Sequence, residues 1–126
     1  MSKVSIRERL LKRSNEQAKT SLKLKGIGEV DVHGIEPDRL AELRQLAKKD
    51  DKFDSELFQK LNIAEAVHID GERLINLALK EELGIMDDGV LVDKLFRVGE
   101  QDRILEAFAE LMGYGNPEEE VEALKN

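Results

Sequence analysis

Residues 21–33 read Ser21-Leu22-Lys23-Leu24-Lys25-Gly26-Ile27-Gly28-Glu29-Val30-Asp31-Val32-His33. Apolar and charged side chains alternate on both sides of the glycines, the period of two that belongs to strands half buried on one face. Folded about Ile27, the segment places Leu24 opposite Val30 and Leu22 opposite Val32 on one face. Lys25 then meets Glu29 and Lys23 meets Asp31 on the other. Each cross-strand pair is worth about 0.2–1 kcal/mol. An isolated hairpin is barely stable in water, so this one needs a surface to cover.

Downstream the period becomes helical. Pro37 suits a first helical position, and Leu40, Leu43 and Leu46 share one face of a helix predicted to about Lys49. Lys48 to Lys52 is read as a charged linker. Asp54 is placed to cap a helix bearing Leu57, Phe58, Leu61, Ala64 and Val67. Phe53 and Phe58 occupy the two positions of a hydrophobic staple around that cap. Asp70 is read as the cap of the next helix, with Ile69 and Leu74 as its staple, running through Ile75, Ala78 and Leu79 to Gly84. Asp87 or Asp88 opens a short helix with Leu91, Val92 and Leu95, ending near Gly99. Glu100 to Met112 is strongly amphipathic, through Ile104, Leu105, Phe108, Leu111 and Met112, and Gly113 stops it. The expected fold is mainly α, a small helical domain with one N-terminal β-hairpin.

The flanks are weaker. Ser5 with Glu8 has the pattern of a capping box for a helix running to about Lys19. Its apolar content is Ile6, Leu10 and Leu11, too little to hold a helix alone. Residues 1–19 are therefore read as a basic helical arm, mobile in a lone subunit unless something docks on it. Residues 20–115 form the hairpin plus helical domain. Residues 116–126, where Asn116, Pro117 and Glu119 signal a start but only Val121 and Leu124 follow, form a marginal C-terminal helix.

Charge divides the 126-residue chain, whose net charge is −7. Residues 1–49 carry 12 Lys and Arg against 7 Asp and Glu, and residues 50–126 carry 8 against 20. A basic arm on an acidic body can hold nucleic acid, an acidic partner or a neighbouring copy. Nucleic acid is the poorer fit, because no aromatic residue interleaves with the basic ones and the later helices are acidic. The chain contains no Cys, so disulfides and thiolate metal sites are excluded. His33 and His68 fall in different elements, and no third ligand is nominated by spacing, so no metal and no cofactor are expected. Gly26-Ile27-Gly28 lacks the third glycine and following helix of a phosphate loop. No serine sits in a nucleophile-elbow context, and no catalytic residue is assigned. The start has no apolar signal segment, and no apolar run approaches membrane-spanning length, so the cytosol is the expected compartment.

One stretch carries a family resemblance. Leu95-Phe96-Arg97-Val98-Gly99-Glu100, then Ile104, Leu105 and Phe108, then Leu111-Met112-Gly113-Tyr114 resemble the C-terminal signature of the tail assembly chaperones of long-tailed bacteriophages or prophages. The order of parts across residues 20–115 is similar too. The sequence departs from the pattern in three places. Arg97-Val98 stands where a Pro often precedes the Gly-Glu pair, Met112 stands where Ser is common, and a Pro expected after residue 62 is missing. The resemblance implies a non-catalytic protein that binds the tape measure protein, keeps its apolar helices soluble and helps recruit the tail tube protein. It implies self-association around the tape and residence in the host cytoplasm, with absence from the mature virion. A longer product made by frameshifting is common in such proteins. The other readings are a small phage or bacterial regulator contacting nucleic acid through the basic arm, and a head–tail joining structural protein.

Helix-in-groove recognition of a helical partner needs an apolar wall with a charged rim. Leu91, Leu95, Ile104, Leu111 and Met112 are the expected partner-binding residues, with Leu105 and Phe108 assigned to the core. Ile6, Leu10 and Leu11, with Arg7 and Arg13, are the expected oligomerisation arm.

Overall fold

The computed structural model describes residues 5–15 and 18–114. The expected C-terminal helix and the ends of the arm at residues 1–4 and 16–17 lie outside the described residues.

In chain order the elements are α1 (Ile6–Asn15), β1 (Lys19–Leu24), β2 (Gly28–His33), α2 (Pro37–Leu46), β3 (Lys48–Lys49), β4 (Lys52–Phe53), α3 (Ser55–Ala66), β5 (Val67–Ile69), β6 (Glu72–Arg73), a 3-10 turn (Leu74–Asn76), α4 (Leu79–Leu83), α5 (Asp88–Leu95) and α6 (Val98–Leu111). The fold is mixed α/β, with 57% helix among the described residues, and not mainly α with a single hairpin. A four-stranded antiparallel sheet runs β1-β2-β5-β6, and β3 and β4 form a separate small hairpin.

Several local signals act as the sequence suggests. The Asp54 carboxylate accepts the Leu57 amide at 3.0 Å, capping α3. The Phe53 and Phe58 rings meet 5.3 Å apart across that cap. The Ser5 hydroxyl accepts the Glu8 amide at 3.1 Å and starts α1. Gly84 and Gly113 take left-handed conformations after α4 and α6, as helix-ending glycines do.

Four readings are corrected. The hairpin keeps its faces but not its register, because Leu22 pairs with Val30, Leu24 with Gly28 and Lys23 with Glu29. The turn is set one residue earlier than Ile27. The Ile27 amide donates to the Leu24 carbonyl at 3.1 Å, and Gly26 supplies the positive φ at the third turn position. A shift of two residues leaves every side chain on its own face, which is why alternation alone does not detect it.

The second correction is larger. Residues 67–73 are not the junction of two helices. Val67 to Ile69 is a strand pairing Val67 with Val32, and Asp70-Gly71 is the turn of a second hairpin. Asp70 and Gly71 both have positive φ, as a two-residue hairpin turn requires. The sheet explains why. With β1 on one side only, β2 would leave backbone groups unpaired along a buried edge, and β5 satisfies them. Third, the helix expected from Asp70 to Gly84 is reduced to a 3-10 turn and the five residues of α4. Last, Lys48 to Lys52 is no linker, because Lys48 pairs with Phe53 across a turn in which Asp50 and Asp51 both have positive φ.

The inner face of the sheet presents Leu22, Leu24, Val30, Val32 and Val67. Helices α3 and α6 contribute Leu61, Ile63, Ala64, Ile104 and Phe108 to the same core. The outer face carries Lys23, Glu29, Asp31 and His68. The Ser21 hydroxyl there donates to Asp31 Oδ1 at 2.6 Å.

Candidate partner-binding surface

The corner between α5 and α6 contains the Leu95–Glu100 motif. Asp87 opens α5, its Oδ1 accepting the Gly89 amide at 2.6 Å. The chain extends through Phe96 and Arg97, and Glu100 Oε1 accepts the Arg97 amide at 2.9 Å, closing the first turn of α6. Gln101 is buried beneath it. Its Nε2 donates to the Phe96 carbonyl at 3.1 Å and to Asp93 Oδ1 at 3.2 Å. Asp93 also accepts from Lys60 Nζ of α3 at 2.8 Å, and that ammonium holds the Asp93 carboxyl below its usual range. The corner is thus pinned to α3 by polar contacts that side-chain periodicity does not reveal.

Two shallow clefts flank the corner. One of about 270 Å³ is lined by Glu56, Lys60, Asp93, Val98, Asp102 and Leu105. The other, about 320 Å³, lies between the hairpin tip at Gly26-Ile27 and Leu95 to Arg97. Both mix apolar walls with charged rims. Val98 stands 76% exposed at the start of α6.

The five expected contact residues do not form one face. Leu91 and Ile104 are core residues, 1% and 0% exposed, and offer no surface. Leu95 is half-buried beside the hairpin tip. Leu111 and Met112 are half-buried at the far end of α6, about 20 Å away at 1.5 Å per helical residue. Leu105 is half-buried and Phe108 buried, both packed in or against the core. The large exposed apolar residues of this part of the chain are others: Val98 at the corner, and Leu83, Met86 and Val90 before and at the start of α5. Met86 and Val98 stand alone in their segments without periodic partners, so nothing in a helical pattern singles them out.

Met112 borders a different cleft, of about 460 Å³, with Ala18, His33, Gly34, Ile35, Glu36 and His68. The β2–β5 pairing brings the two histidines together, with their rings stacked at 3.8 Å between centroids. Burial, and then the neighbouring His68, push the His33 imidazole below its ordinary value, opposed by Asp31. Among the described residues no three His, Asp or Glu side chains converge to hold a metal ion. Beside this cleft, Glu65 of α3 accepts from Arg39 Nε at 2.9 Å and from Arg73 Nη2 at 2.9 Å, joining α2, α3 and β6. That network holds the Arg39 guanidinium in its charged form.

The arm residues are all exposed. Ile6, Leu10 and Leu11 are 64%, 60% and 48% accessible, and Arg7 and Arg13 lie in the open as well. No described residue of the body covers the stripe.

Among the described residues no helix is long and apolar enough to cross a membrane. No curated protein and no solved structure shows significant similarity to the chain. The family described as "Phage XkdN-like tail assembly chaperone protein, TAC" matches residues 1–125. Apolar-walled clefts with charged rims, and an arm that no described part of the body covers, accord with a protein that works by binding, and the chain belongs to the XkdN-like family of phage tail assembly chaperones, a non-catalytic one.

Proposed function

We propose that this chain binds the tape measure protein during tail assembly, keeps its apolar helices soluble and aids assembly of the tail tube protein around it. The observation that carries this reading is the family match over residues 1–125. The shallow clefts beside the α5–α6 corner support it, since amphipathic helices are taken into apolar grooves with polar rims. Leu95, Leu111 and Met112 offer partly open apolar surface to the partner, with Val98 added. Leu91 and Ile104 are buried and take no part in that surface. The protein acts in the host cytoplasm and leaves before the virion matures. Residues 1–19 act as an arm through which subunits self-associate, with Ile6, Leu10 and Leu11 giving apolar contact and Arg7 and Arg13 seeking an acidic neighbour. Residues 20–115 form the domain that receives the partner.

Co-expression with an amphipathic fragment of the tape measure protein tests this. The wild-type chain should keep the fragment soluble. The combined substitutions Val98→Asp and Met112→Asp should remove that effect while the amide protection of α6 is retained. A fragment equally soluble with either chain, or with neither, overturns the reading.

A further inference from the structure

We propose that the segment joining α4 to α5, through Leu83, Met86 and Val90 and the carboxylates around them, receives the apolar stripe of α1 from a second copy of this chain. The inference rests on the reading of residues 1–19 as a self-association arm, and names the surface on which that arm docks. Exposed apolar area is the first argument. Ile6, Leu10 and Leu11 are exposed on α1, and no described residue of the body covers them. A ten-residue helix is marginal in water without a packed face, so this one calls for a partner. Residues 83–90 offer a match, with Leu83, Met86 and Val90 all exposed. Met86, at 95%, is the most exposed large apolar residue described.

Charge selects the pairing. Helix α1 carries Arg7, Arg9, Lys12 and Arg13 against Glu8 alone. Residues 81–90, EELGIMDDGV, carry Glu81, Glu82, Asp87 and Asp88 and no cation. Opposite signs favour α1 on this segment and disfavour α1 on another α1. The receiving segment is also held in shape beforehand. Gly84 ends α4 in a left-handed conformation, and the Ile85 amide donates to the Lys80 carbonyl at 2.8 Å. Lys80 Nζ lies 2.7 Å from Asp88 Oδ1 and ties α4 to the first turn of α5. A Cβ placed on Gly89 would lie 3.1 Å from Leu57 Cδ1, so the start of α5 sits close on α3. A surface already fixed loses little freedom on binding. The chain's own arm is the poorer occupant. The Gly34 amide donates to the Ala18 carbonyl at 3.0 Å, and a Cβ on Gly34 would lie 3.7 Å from Met112 Sδ. The arm therefore leaves the body at the C-terminal end of α6. Helix α5 joins α6 at the other end, about 20 Å away.

The test is sedimentation equilibrium of the full chain over a range of concentrations. The wild-type mass should rise with concentration, and less so in added salt. Leu10→Asp/Leu11→Asp and Met86→Asp/Val90→Asp should each stay monomeric. The first keeps the receiving segment and the second keeps the arm, so an equal mixture should form a dimer and stop there. Arg9→Glu/Arg13→Glu should weaken association about tenfold, as should Glu81→Lys/Glu82→Lys, and the two sets in one chain should restore much of it. Amide protection of α6 reports whether each variant is folded, and the charge reversals decide the matter if an aspartate variant is not. Association that survives changes in the receiving segment but not in the arm overturns this docking and leaves the arm reading intact. Association indifferent to both sets, or a wild-type chain that stays monomeric, overturns both. Amides of α1 protected equally at all concentrations in a monomer would make the chain its own cover and overturn the second copy. Solubility of the tape measure fragment is a separate readout, and its failure would sink the function proposed above without touching this docking.

Discussion

Helices α1 and α6 are both amphipathic, yet one is the centre of the fold and the other stands outside it. In α6, Ile104, Ala107 and Phe108 are buried against the sheet and α3. In α1, Ile6, Leu10 and Leu11 are exposed on a stripe of similar chemistry. The difference lies in length and in what faces the stripe. Helix α6 has 14 residues with apolar positions along its length, opposite a sheet whose inner face carries Leu22, Leu24, Val30, Val32 and Val67. Helix α1 has three large apolar residues, and no described part of the body covers them. Amphipathicity marks a helix that needs a cover, and only the surroundings decide whether its own chain supplies it.

The sharpest break of this comparison is a pair of matched truncations. Ile104→Ala should cost about 2–5 kcal/mol of global stability, because a fully buried side chain is removed and a cavity remains. Leu10→Ala should change it by less than about 0.5 kcal/mol, as at other open surface positions. Chemical denaturation of both variants checks this, and similar losses would mean that the arm belongs to the core.

Next is the corner that α6 uses to meet α3. Gln101→Ala removes two hydrogen bonds and leaves the Phe96 carbonyl without its side-chain donor, an expected loss of about 1–3 kcal/mol in the same denaturation assay. A neutral result would show that packing alone orients α5 on α6. Glu65→Gln should cost less, about 1 kcal/mol, since the two arginines it holds are partly open to water.

Smaller effects concern the periphery. Ala78 has a φ of 56° at the start of α4, a conformation that suits glycine. Ala78→Gly should therefore stabilise by up to about 1 kcal/mol, read as a rise in the denaturation midpoint. The weakest is pH. The folded pKa of His33 lies below its ordinary value of 6.5, so the unfolded chain binds the proton first. Its contribution is complete above the unfolded pKa and is lost as pH falls through the folded one. Stability measured from pH 7.5 to 5.5 should decline slightly, and His33→Asn should flatten that slope.

How legible the site was follows from the same contrast. Leu91 and Ile104 carry the strongest periodic signal on their helices, and for that reason they are core and not surface. Large, regularly spaced apolar residues are the ones a fold buries first. The open apolar residues Met86, Val90 and Val98 lie at helix ends and in a loop, where period says nothing. Gln101 and Lys60 were equally silent, because their partner Asp93 lies on a different element in each case.

The sequence by itself determined the features that act within one turn or one hairpin: the Asp54 cap, the Phe53–Phe58 staple, the stops at Gly84 and Gly113 and the two faces of β1 and β2. Each depends on groups only a few residues apart, so the chain can satisfy it before anything else folds. The tertiary structure decided the rest. Asp70-Gly71 can cap a helix or turn a hairpin, and the open edge of β2 selected the hairpin by pairing Val32 with Val67. The register of β1 on β2 came from turn geometry, since alternation survives a shift of two. The stacking of His33 on His68 and the burial of α6 but not α1 depend on what comes to lie opposite. That is a property of non-local contact, and a one-dimensional pattern does not contain it.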